Sequence, residues 1–232
     1  MSNRTKGTCK YCGKEYTITP MVKHLLSCKG RKLVSEGEIS EKQVGYFVLL
    51  INDKYSKQYW LIVEMKDTAS LKDLDQFLRD IWLECCGHLS HFKIEGIRYE
   101  SSAQGSDGGM FPVKGMNIKL QKLLEPGMIF DHMYDYGSTT ELTLSVITHR
   151  MGPEKREKLA ILSRNHPITF ICEKCEKKTA TVMCMECVYE GAGLLCDDCR
   201  QDHECGDEML SEIYNSPRIG VCGYEGSTKY PN

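Results

Sequence analysis

Residues 172–205 read CEKCEKKTATVMCMECVYEGAGLLCDDCRQDHEC, and a stretch this short, with seven cysteines and one histidine, has too few apolar side chains to fold on a core of its own. Its candidate ligands are Cys172, Cys175, Cys184, Cys187, Cys196, Cys199, His203 and Cys205. Eight ligands make two closed tetrahedral sites, whereas a catalytic zinc keeps one position open for water. Zinc would then supply the folding energy that the sequence cannot. Two pairings are open. In a cross-brace, Cys172, Cys175, Cys196 and Cys199 share one ion, and Cys184, Cys187, His203 and Cys205 the other. In a sequential arrangement the first four cysteines share one ion and the last four ligands share the other. A redox reading of the CxxC pairs needs a thioredoxin-like βαβ setting, which is absent.

The spacing resembles that of B-box-type zinc domains, and this resemblance implies the cross-brace. The short His203-x-Cys205 pair departs from it, and Cys222 in VCGY is an alternative to Cys205 as last ligand.

A second ligand set lies at the other end. CKYCGKEYTITPMVKHLLSC puts Cys9 and Cys12 on a turn and His24 and Cys28 four residues apart on one helical face. Thr19 is the expected N-cap, Pro20 the first helical residue, and Tyr16, Val22 and Leu25 a miniature core. The pattern resembles a CCHC variant of the ββα zinc finger, which brings the expected total to about three zinc ions at four ligands each. The helix positions that would face bases are Thr17, Pro20 and Lys23, none of them a base-reading Arg, Asn or Gln.

The net charge of −2 hides an asymmetry. Residues 1–32 set Arg4, Lys6, Lys10, Lys14, Lys23, Lys29, Arg31 and Lys32 against Glu15 alone, a footprint suited to phosphate contact by Lys10, Lys14, Lys23, Lys29, Arg31 and Lys32. Residues 172–208 are predominantly acidic and suit a protein partner instead. No apolar run approaches the roughly 18 residues needed to cross a bilayer, and the N-terminus has no signal-peptide core. A cytoplasmic, non-membrane protein is expected, and 13 cysteines in a reducing compartment point to metal.

Between the two cysteine-rich ends, GRKLVSEGEISEKQ reads as a linker, and VGYFVLLI and YWLIVEM as a β-hairpin. SLKDLDQFLRDIWLECCG has the apolar period of an amphipathic helix, with Ser70 and Asp73 as a capping pair and Gly87 as the stop. HFKIEGIRYE reads as one strand, SSAQGSDGG as a loop, MNIKLQKLL as a short helix, and MIFDHMYDYG with TTELTLSVITH as a second hairpin. GPEKREKLAILSR reads as a charged connector. The predicted class is α+β, a mostly antiparallel sheet with one main amphipathic helix and two small zinc-stabilised modules. The predicted organisation is a finger at 1–32, an α+β domain at 43–150, a double zinc domain at 168–210 and a tail at 211–232.

Cys85, Cys86, His88 and His91 cluster after the helix and fit a third metal site, a Cys–His nucleophile or a buried helix end. Asp131, His132 and Asp135 alternate along a strand without forming a catalytic constellation. The segments from YWLIVEM to IRYE, followed by GMIFDHMYDYGSTTELTL, resemble the plasmid pRiA4b ORF-3-like family over roughly 44–150, with Tyr134, Asp135, Tyr136 and Gly137 as its late motif. That resemblance implies a small α+β fold, a loose link to mobile elements and no defined activity. Where many members continue with Asp, Trp and His, this chain has Ser138, Thr140 and Leu142. The expected function is a non-enzymatic zinc-binding adaptor. The alternative is a nucleic-acid-binding accessory factor of a mobile element.

Overall fold

A computed structural model describes residues 4–37, 42–102 and 113–231. It divides the chain into two compact units, 1–77 with 89–166, and 78–88 with 167–232. The expected linker falls partly and the expected glycine-serine loop largely outside the described residues.

The first unit is built on an eight-stranded sheet. Its strands are β3 (Gln43–Asp53), β4 (Trp60–Lys66), β5 (Ser90–Ile94), β6 (Ile97–Glu100), β7 (Val113–Gly115), β8 (Ile129–Tyr134), β9 (Thr140–Pro153) and β10 (Leu159–Arg164), in the order β10-β4-β3-β9-β8-β5-β6-β7. All pairs are antiparallel except β6 with β7. The α+β class is as the sequence predicts. Strand β4 is buried on both faces: Trp60, Ile62 and Glu64 alternate with Leu61, Val63 and Met65, all at most 2% exposed. A strand covered on two sides reads as a continuous apolar run rather than as an alternation.

One covering is the N-terminal finger. Strands β1 (Lys6–Thr8) and β2 (Glu15–Thr17) and helix α1 (Ile18–Ser27) make the expected ββα unit. Met21 and Leu25 of α1, with Cys9 and Cys28, pack against Val48, Trp60, Ile62 and Leu162 of the sheet. A bulge between Ile161 and Ser163 turns the Leu162 carbonyl to accept the Lys10 N–H at 2.9 Å. Gly7 bridges to Asn165, and a Cβ on it would overlap the Arg164 carbonyl and sit 2.7 Å from the Trp60 ring. Only glycine permits that approach.

Five local expectations are corrected. Helix α1 starts at Ile18 with Thr17 in the cap position and no side-chain cap, so Thr19 is already helical. The stretch read as a linker begins with helix α2 (Lys29–Gly37), which the finger needs because its Arg31 reaches the sheet. HFKIEGIRYE is a hairpin of β5 and β6, turning at Glu95 and Gly96, both with positive φ. The charged connector contains edge strand β10. Of MNIKLQKLL only Leu120–Lys122 is helical, as a single 3-10 turn.

Helix α3 (Leu71–Leu78) starts as expected: the Ser70 N–H and hydroxyl donate to Asp73 Oδ2, and the Asp73 N–H donates to Ser70 Oγ. It continues as a π-helical turn over Arg79–Leu83, which belongs to the second unit. That unit also holds a three-stranded sheet in the order β12-β11-β13, with β11 Val182–Cys184, β12 Leu194–Leu195 and β13 Leu210–Glu212.

Candidate metal centres

Among the described residues, four groups of Cys and His bring four ligand atoms each within 4.8 Å of one another: Cys9, Cys12, His24 and Cys28; Cys172, Cys175, Cys196 and Cys199; Cys184, Cys187, His203 and Cys205; and Cys85, Cys86, His88 and Cys222. The groups use three, four, three and three cysteines, which together are the chain's 13. Each can hold a metal ion.

In the finger, the β1–β2 turn carries Cys9 and Cys12, and helix α1 presents His24 one turn before Cys28. Cys9 Sγ lies 4.0 Å from Cys28 Sγ, and Cys12 Sγ lies 3.2 Å from His24 Nε2. Tetrahedral zinc has S···S edges of about 3.8 Å and S···N edges of about 3.5 Å, given its usual bond lengths. The Tyr16 ring lies against His24 at 4.7 Å between centroids and helps fix the imidazole.

The pairing in 172–205 is the cross-brace. Cys175 Sγ is 4.0 Å from Cys196 Sγ, while Cys187 Sγ lies 3.6 Å from Cys205 Sγ and 3.7 Å from His203 Nε2. Cys205 is therefore in place in this group, and Cys222 belongs elsewhere. Strand β11 ends on Cys184 and a 3-10 turn starts at Cys187, so the knuckle is set by backbone rather than by a core. Burial opposes ionisation of Cys172, but N–H groups of Cys175, Cys196 and Lys174 converge on its sulfur and bring its pKa down to about 6. Burial likewise opposes ionisation of Cys184, and the Cys187 N–H and the His203 ring bring it to about 7. Their neighbours are pushed the other way, to about 12 for Cys187 chiefly by Cys205, and to about 12 for Cys199 by burial and then by Cys196 and Cys172. Such a group holds all of its thiolates together only around a cation. The donor set of sulfur and imidazole, four to a site, fits zinc and leaves no ligand position vacant.

His91, grouped with Cys85, Cys86 and His88 by sequence, is not in that cluster. It is buried on β5, its Nδ1 3.0 Å from Tyr136 Oη, and burial lowers its pKa to about 4. His132 is fully buried and shares one oxygen of Asp75 with Ser90: Nε2 lies 2.8 Å from Asp75 Oδ1, and the Ser90 hydroxyl donates to the same atom at 2.7 Å. Serine, histidine and aspartate thus meet with the carboxylate in the centre, whereas nucleophile activation requires the histidine there. Asp135, with φ 65°, accepts the Gly137 N–H at 2.9 Å and so shapes the β8–β9 turn.

Of the lysines expected to meet phosphate, Lys10, Lys14, Lys23, Lys29 and Lys32 are exposed. Arg31 is not: it is 7% exposed, donates to Glu64 Oε1 at 2.6 Å and to the Leu25 carbonyl at 3.0 Å. Arg150 holds the same carboxylate from β9, with both contacts at 2.8 Å. The sequence gives one hint of this, an acid in the middle of the apolar run WLIVEM.

The second unit also carries a groove of about 590 Å³ along edge strand β13, lined by Glu208, Leu210, Glu212, Tyr214, Tyr224 and Glu225 among others. Tyr214 and Tyr224 meet edge to face at 5.9 Å between centroids.

No family model matches the chain, and no curated protein does. Among solved structures, a protein of unknown function from Methanosarcina mazei Go1 is similar at 18% identity and a TM-score of 0.40, over 52% of this chain and 68% of that one. Among the described residues no helix is long and apolar enough to cross a membrane.

Proposed function

We propose that this chain is a non-enzymatic zinc adaptor of the cytoplasm, with a pRiA4b ORF-3-like centre, whose second unit receives a basic segment of a partner protein. The acidic groove beside β13 carries this reading. An edge strand offers backbone groups to an added strand. Glu208, Glu212 and Glu225 supply charge for lysine or arginine, and the half-buried Tyr214, backed by the buried Tyr224, supplies aromatic surface for their stems and cationic heads. Around the ligands, Glu176, Glu186, Glu190, Asp197, Asp198, Asp202, Glu204 and Asp207 are exposed, which steers a basic partner and repels nucleic acid. Closed sulfur and imidazole ligand sets support a structural role for the metal rather than catalysis.

The test is the affinity of the zinc-loaded chain for a labelled lysine- and arginine-rich peptide and for an acidic peptide of the same length. The basic peptide binds, and Glu208→Lys with Glu212→Lys weakens it at least about tenfold, equivalent to about 1.4 kcal/mol. Binding unmoved by the reversal, or equal binding of the acidic peptide, contradicts the proposal.

The exposed lysines of the finger favour a second reading, contact with nucleic-acid phosphate. Replacing Lys10, Lys14 and Lys23 by alanine then weakens DNA or RNA binding alike across sequences. The salt slope falls by about one unit per lost phosphate contact. Loss confined to one sequence, or an unchanged slope, contradicts it.

A further inference from the structure

The last tetrad differs from the others in how its ligands are gathered. Cys85, Cys86 and His88 lie on the segment that leaves the π-helical turn, and Cys222 comes from the far end of the chain, 136 residues from Cys86. Its edges are 3.7 Å from Cys85 Sγ to Cys86 Sγ, 3.6 Å from Cys86 Sγ to Cys222 Sγ, 3.0 Å from Cys86 Sγ to His88 Nε2 and 3.2 Å from His88 Nε2 to Cys222 Sγ. These values lie close to the 3.2–4.0 Å edges of the other tetrads, and the ligand chemistry, three sulfurs and one imidazole, is that of the finger tetrad and of the Cys184 tetrad.

The surroundings are built for it. Arg218 is fully buried, and its Nη2 donates to Cys85 Sγ at 3.4 Å, a charged donor of the kind that steadies a ligating thiolate. The same stretch is tied to the π-helical turn: the Ser216 hydroxyl donates to the Trp82 carbonyl at 2.7 Å, and Trp82 Nε1 donates to the Asn215 carbonyl at 3.0 Å. The backbone bends at the ligands themselves. Cys222 has φ 51°, a conformation that costs a cysteine energy, and Gly87 and Gly223 have φ of 79° and 63°. A strained cysteine aimed at two other thiols and an imidazole is the signature of a ligand rather than of a core residue.

We propose that Cys85, Cys86, His88 and Cys222 bind a fourth zinc ion, a clasp that fastens the segment Leu78–His88 to the C-terminal end of its unit. This rests on zinc as the metal of the other three tetrads. It goes beyond them, because a chain that filled only those three would carry three ions. None of the four clasp ligands is buried, whereas each other tetrad has at least one buried cysteine, so this ion is the one most open to exchange.

The test is native mass spectrometry of the zinc-loaded full chain. The expected result is four zinc ions in the wild type, three in Cys222→Ser, and four again in Cys222→His. Three ions in the wild type, four retained in Cys222→Ser, or a mass about 2 Da light from a disulfide between these thiols would each overturn the clasp, and would leave the adaptor reading standing. Should Cys222→Ser lose more than one ion by unfolding, cadmium-113 spectra of the wild type decide. One tetrathiolate and three Cys3His resonances support the clasp, and only two Cys3His resonances overturn it.

Discussion

Stripping zinc from the loaded chain with a chelator at neutral pH unfolds residues 167–232. Structural zinc contributes on the order of 10–16 kcal/mol to small domains of this kind, more than the few apolar groups here can replace. Strands β11, β12 and β13 are two or three residues long, and the ligands Cys172, Cys184 and Cys196 occupy positions that a larger domain would fill with core side chains. Hydrogen exchange followed by mass spectrometry reads the outcome by segment. Amides of 172–212 exchange freely without metal, while those of β3, β4 and β9 stay protected because most of their core is hydrocarbon, with Cys9 and Cys28 the only ligands in the cluster packed on β3 and β4. Protection of 172–212 that persists without metal would mean that the cysteines act as small apolar residues.

Glu64→Ala should destabilise the first unit by about 3–5 kcal/mol, because it removes a carboxylate that is buried between two guanidiniums and leaves both cations without it. Arg31 comes from the finger's α2, Glu64 from β4 and Arg150 from β9, so the same change loosens the finger from the sheet. A loss of that size corresponds to a fall in the melting transition of roughly 6–20 °C for about 150 residues. The two tryptophans report separately, since Trp60 lies in the first unit and Trp82 in the second. In a chain labelled with fluorotryptophan, the Trp60 resonance shifts its melting and the Trp82 resonance does not. The pH dependence has a definite sign. Burial raises the Glu64 pKa, but Arg150 and then Arg31 outweigh it and hold the carboxyl below its usual range. The ionised form is therefore the folded form. Its contribution is complete above about pH 4.3, the ordinary glutamate value, and is lost as acid takes the pH down through the lowered folded value. A variant as stable as the wild type at neutral pH would show that the triad adds nothing.

What the sequence disclosed divides along one line. Ligands close together in the chain were legible, because CxxC knuckles and the His24–Cys28 helical turn are local geometry. The capped start of helix α3 and the two hairpins followed from period and turn chemistry for the same reason, whereas the helical run ends at Leu83, before the Gly87 expected to stop it. Features that depend on distant partners were not legible. Cys222 stands 134 residues from His88, so nothing local assigns it, whereas His91 is near Cys85, Cys86 and His88 in sequence alone. Helix α2 reads as a polar linker until Glu64 is known to receive Arg31. Strand β10 is hidden behind the charges of GPEKREK, and what makes it a strand is its pairing with β4 at the sheet edge. The Glu95–Gly96 turn lacks the Asn-Gly or Asp-Gly signal that marks most two-residue hairpins, so two strands read as one.

The most direct measurement is X-ray absorption at the zinc edge of the fully loaded chain. Closed structural sites give four-coordinate zinc with sulfur at about 2.3 Å and a smaller nitrogen shell at about 2.0 Å. With all 13 cysteines and three histidines engaged, sulfur outnumbers nitrogen by 13 to 3. A distinct oxygen shell, or an average coordination of three protein ligands plus water, would mean an open and potentially catalytic metal and would contradict the adaptor.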